Sequence, residues 1–151
     1  MVTTRIPKVG GDARLKELRA LVEREPLNEN NRFMLATALE GAGKVEEAAQ
    51  EFGIAVEKGR RNLGVAYCNY ANALMKAGKP EEALRHFDHA IETDPSNSSF
   101  YLNAKAAALN QIGLTDKARA IYAQILERKD VSRETQRIVL KKIGDMKITR
   151  K

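Results

Sequence analysis

The chain has 151 residues, 43% of them hydrophobic and 30% charged, with a net charge of +6, four Phe, four Tyr and no Trp. That length suits one domain with a continuous core, and the composition excludes both a disordered chain and, since no apolar run nears the roughly 20 residues of a bilayer span, a membrane-spanning helix. The single Cys68 excludes an internal disulfide, and the excess positive charge all falls in residues 128–151, which hold 9 Lys or Arg against 3 Asp or Glu.

The opening stretch MVTTRIPKVGGDAR has no apolar segment of the kind a secretory signal needs. Residues 1–12 are expected to be a disordered lead, and the protein is expected to be cytoplasmic. A helix is expected over 13–25, ARLKELRALVERE, with Ala13, Ala20 and Leu21 on its packed face and Pro26 ending it.

From residue 29 a period of 35 sets in. Gly43, Gly78 and Gly113 recur at that interval, with Ala36, Ala71 and Ala106 before them and Ala48, Ala83 and Ala118 after them. Leu39, Leu74 and Leu109 keep the same register, as do Phe52, Phe87 and Tyr122. Three units follow, at about 29–62, 64–97 and 99–131. Within each, apolar residues at helical spacing lie on both sides of the glycine, so each unit is expected to be two helices joined where glycine tolerates a positive φ. Glu46 and Glu47, Glu81 and Glu82, and Pro80 fit first helical turns, where acids meet the positive end of the helix dipole and proline needs no donor. They are not read as paired catalytic carboxylates. Asp94 and Pro95 close the second unit, and SNSS is expected to cap the helix that follows.

A last helix is expected over 132–147, with Val139, Leu140, Ile143 and Met146 on one face, followed by a basic tail at 149–151. Arg133, Arg137 and Lys141 form an i, i+4, i+8 stripe, joined by Lys142, and make a basic patch. Such a stripe can meet phosphates or acidic side chains, but no aromatic residue lies beyond Tyr122 to stack on bases, so nucleic acid is not the expected partner.

The combination of small residues, Gly, Ala and an aromatic at fixed spacing, clearest in NYANALMKAGKPEEALRHFDHAIETDPSN, resembles the tetratricopeptide repeat. The resemblance implies an all-α, right-handed α-solenoid of helix-turn-helix repeats as a single domain over 13–148, capped by the two terminal helices. It also implies a concave wall, lined by the first helix of each unit, that receives a peptide or protein segment. By register the wall holds Asn30, Phe33, Met34 and Thr37, then Cys68, Asn69, Asn72, Met75 and Lys76, then Asn103, Ala104, Ala107, Asn110 and Gln111. Asn side chains offer both a donor and an acceptor to a peptide backbone, and Phe33, Met34 and Met75 offer apolar contact. Family members that clamp a chaperone's terminal carboxylate carry Lys, Asn and Arg where this chain has Phe33, Thr37, Phe100 and Ala104, with only Asn69 agreeing, so that ligand is not expected. Two departures stand out. Arg32 occupies a place where the family often has an aromatic, and Lys105 occupies the place of Leu35 and Tyr70.

His86 and His89, at i, i+3, are read as surface residues rather than a metal site, and no phosphate loop, nucleophile motif or Cys cluster is present. The expectation is therefore a non-catalytic adaptor or scaffold without cofactor or metal, monomeric or weakly self-associating, that binds a protein segment. The alternative is an accessory protein whose basic C-terminal helix contacts nucleic acid or an acidic surface within a complex.

Overall fold

The computed structural model describes residues 9–59 and 63–146, and these hold eight α-helices: α1 (Val9–Arg24), α2 (Glu29–Gly41), α3 (Val45–Lys58), α4 (Leu63–Lys76), α5 (Pro80–Thr93), α6 (Ser98–Gln111), α7 (Thr115–Glu127) and α8 (Arg133–Asp145). Each glycine of the 35-residue period ends a helix. Gly43, Gly78 and Gly113 have φ of 78°, 75° and 84°, in the left-handed region that glycine enters without a Cβ clash. In each turn the amide after the glycine reaches back to a leucine carbonyl, Lys44 to Leu39, Lys79 to Leu74 and Leu114 to Leu109, all at 2.9 Å. This is a Schellman closure, and it satisfies carbonyls that the helix end would otherwise leave unpaired. Three equal hairpins result: α2/α3, α4/α5 and α6/α7.

The alanines of the repeat sit where the helices cross. Ala36, Ala71, Ala106, Ala48, Ala83 and Ala118 are completely buried, and so are the aromatics Phe52, Phe87 and Tyr122 that fill the space behind them. Small residues on one helix and a ring on the next let backbones approach while leaving no void. One core runs from α1 to α6, a second joins α6, α7 and α8, and Leu84 and Ile91 of α5 pack against both. The chain is thus an α-solenoid in which every hairpin rests on its neighbours.

The ends differ from the sequence expectation. α1 begins at Val9, so residues 9–12, assigned to the disordered lead, form its first turn, while residues 1–8 lie outside the described residues. The helix buries Leu15, Leu18 and Val22, and Ala13 and Ala20 face outward, because the larger side chains remove more apolar surface from water. α8 buries Val139, with Met146 beyond its end and Ile143 partly covered, whereas Leu140 is 58% exposed and does not share that face. The basic tail 149–151 lies outside the described residues. Asn97 and its neighbours do not cap α6 through a side chain: Pro95–Asn97 forms a short 3-10 turn, and the Asn97 amide bonds to Asp94 at 2.8 Å instead.

Both departures from the repeat are resolved by ion pairs. Arg32 is half-buried and pairs with Glu51 of α3 at 2.8 Å. Lys105 is half-buried and places its ammonium 2.5 Å from Asp88 of α5.

Candidate functional site

Helices α2, α4 and α6 form one wall, and the 35-residue period sets its rows. At the N-terminal edge stand Asn30, Val65 and Phe100; next come Met34, Asn69 and Ala104, then Thr37, Asn72 and Ala107, and finally Gly41, Lys76 and Gln111. Within α4 the positions 65, 69, 72 and 76 share one face by helical geometry, as 100, 104, 107 and 111 do in α6. Sequence reasoning passed over Val65 and weighed Phe100 only as a position that argues against a carboxylate clamp, not as a contact. They are 43% and 61% exposed, so the wall has an apolar edge. The signal was available in their register with Asn30.

The wall holds a real concavity. Asn69, Asn72, Met75 and Lys76 of α4, Ala104, Ala107, Ala108 and Gln111 of α6, and Glu40 of α2 enclose an open cleft of about 430 Å³. Alanines on the α6 side leave the room, and amides on the α4 side supply donors and acceptors. The cleft's two charged side chains, Lys76 and Glu40, pair with each other across α4 and α2. Its lining is therefore electrically neutral. Asn72 has only a 3.9 Å contact with the Cys68 sulfur, which leaves most of its amide for a ligand.

Other residues assigned to the wall do not line this cleft. Cys68 is 1% exposed and belongs to the core, where burial pushes its thiol up to about 11. Phe33 packs edge-on against Phe52, with ring centroids 5.3 Å apart, and together with Asn30 lines a separate cleft of about 300 Å³ beside Val65 and Ala66. Met34 and Thr37 are exposed on α2 but do not line the larger cleft, and the Thr37 hydroxyl bonds back to the Phe33 carbonyl at 2.9 Å. The Asn103 amide oxygen accepts from Lys142 of α8 at 2.9 Å. Asn110 accepts from Thr115 at 3.2 Å in the turn to α7.

The basic patch is likewise divided. Arg133, Arg137 and Lys141 are exposed, but Lys142 is half-buried between Asn103 and the Tyr122 ring, 5.6 Å from its centroid, and fastens α8 to the stack. His86 is half-buried, whereas His89 is exposed. The His86 ring lies 4.4 Å from that of Tyr70 and 5.8 Å from that of Tyr67, and burial, with His89 and Arg85 nearby, holds its pKa below the ordinary histidine value. Among the described residues no group of three or more His, Cys, Asp or Glu comes together as a metal site, and no helix is long and apolar enough to cross a membrane.

A tetratricopeptide-repeat family model matches residues 74–139. Among solved structures, the crystal structure of YrrB, described as a TPR protein with an unusual peptide-binding site, superposes with a TM-score of 0.64. It is 17% identical, and the match covers 91% of this chain and 72% of that one. No curated protein matches the sequence.

Proposed function

We propose that the chain, whose residues 74–139 match a tetratricopeptide-repeat family model, is a non-catalytic adaptor of that family that binds an extended segment of another protein in the cleft between α4 and α6. The observation that carries this reading is the cleft itself, where Asn69, Asn72 and Gln111 stand around a hollow floored by Ala104 and Ala107. Paired amides bond a peptide main chain whatever its sequence, and the adjoining Met75 adapts to differing side chains. Because Glu40 and Lys76 cancel, the cleft favours a neutral stretch of chain over a charged terminus. A shallow groove of this size implies an affinity of about micromolar order. The peptide-binding site attributed to YrrB, on a similar fold, supports the same direction.

The test is selection of ligands from a random peptide library on the immobilised protein, followed by affinity measurement on the Asn69→Ala, Asn72→Ala double variant. A loss of about tenfold or more is expected, two hydrogen-bonding amides being removed. Unchanged affinity would rule the cleft out.

A further inference from the structure

The exposed face of α8 gathers unpaired cations in one row. In the described residues of α1–α7 and their turns, paired cations such as Arg19 with Glu47, Arg32 with Glu51 and Lys105 with Asp88 alternate with unpaired ones such as Lys16, Lys79 and Lys117. Among the described residues, Arg133, Arg137 and Lys141 make no ion pair, although Glu134 and Asp145 lie on the same helix. Steps of four residues put the three cations in a row about 12 Å long. Leu140, 58% exposed, flanks that row on one side.

We propose that this face of α8 is a second docking surface, separate from the cleft, for an acidic amphipathic segment of a partner protein whose carboxylates meet Arg133, Arg137 and Lys141 and whose apolar side chain covers Leu140. Charge complementarity selects an anionic partner, and the leucine selects among anionic partners. A phosphate backbone gains nothing from covering an aliphatic side chain, and no aromatic on α8 can stack on a base. A bilayer surface needs a continuous apolar stripe, whereas the other exposed apolar residue of α8, Ile138, lies on the far side of the cation row from Leu140. A partner helix with Glu at i, i+4 and i+8 and Leu between them fits both features, since its carboxylates repeat at the same interval.

The experiment uses the full chain and a fluorescein-labelled helical peptide with Glu at every fourth position and Leu beside it, set against a short DNA duplex and phosphatidylserine vesicles. Binding of the peptide by fluorescence anisotropy should weaken about tenfold or more in Arg137→Glu, Lys141→Glu, and severalfold in Leu140→Ser. Helix content and melting temperature should stay unchanged, because these side chains are exposed, and Asn72→Ala should leave this binding intact. The proposal is overturned by absence of peptide binding, by binding indifferent to the charge reversal, or by tighter binding of duplex or vesicles that ignores Leu140→Ser.

Discussion

Tyr101 of α6 lies against the bare backbone of Gly64 of α4: a Cβ added to Gly64 would stand 2.7 Å from the phenol oxygen and 3.0 Å from the ring carbon that bears it. The same Cβ would come within 2.6 Å of the Asp94 Cβ. Two first helices therefore touch through a residue without a side chain.

Gly64→Ala is expected to destabilise the protein by about 1 to 3 kcal/mol, as overpacking does. The helix-propensity gain of alanine over glycine, at most about 1 kcal/mol, acts in the opposite direction and is the smaller effect. Urea unfolding checks the sign. A variant as stable as the parent would show that α4 and α6 are not held this closely.

The Tyr101 hydroxyl donates to Asp94 at 2.7 Å, and the Asp94 carboxylate is held below the ordinary range by hydrogen bonds first from Asn97 and then from Tyr101. A carboxyl whose pKa is lower folded than unfolded contributes stability above its unfolded value and loses it as pH falls through the folded one. Tyr101→Phe removes one of those donors. The stability gap between parent and variant should be full at neutral pH and narrow below about pH 4. Chemical denaturation at pH 7 and pH 3 measures it, and a gap independent of pH would contradict the assignment.

Cys68 should be nearly inert in the folded protein. With its thiol pushed up to about 11, only about a thousandth would be ionised at pH 8, and the side chain is 1% exposed. Labelling by Ellman's reagent is expected to be at least about a hundredfold slower in the native state than in denaturant. Fast native labelling would place Cys68 on the wall, where its register alone had put it.

The alanines of the repeat give a check on the stack. Ala71 and Ala83 are wholly buried at helix crossings, so Ala71→Leu or Ala83→Leu should cost about 1 to 3 kcal/mol, read as a lowered melting temperature.

Much of the fold was legible because the same steric requirement is written three times. One glycine at a helix end is ambiguous, but Gly43, Gly78 and Gly113 in step with buried Ala and aromatic positions leave little choice. The terminal helices lack that redundancy. In α1 the residues expected inside, Ala13 and Ala20, are exposed and Leu15 and Leu18 are buried, and in α8 Leu140, expected on one face with Val139, is exposed, because packing against a neighbour decides the inner face. In the site, Asn69 and Asn72 fell where register placed them, while Asn103 is taken by Lys142, 39 residues away, a contact that no local pattern encodes. Lys105 looked misplaced until Asp88, on the preceding helix, came beside it. Pairwise contacts of this kind depend on the angle between helices, which the period alone does not specify.

The most direct measurement is amide hydrogen exchange on the protein with and without a peptide selected as its ligand. Occupation of the cleft predicts slowed exchange along residues 69–76 and 104–111, with α3, α5 and α7 unchanged beyond the general stabilisation that binding confers. Protection concentrated on α3, α5 or α7, with the cleft-lining stretches of α4 and α6 unaffected, would contradict it.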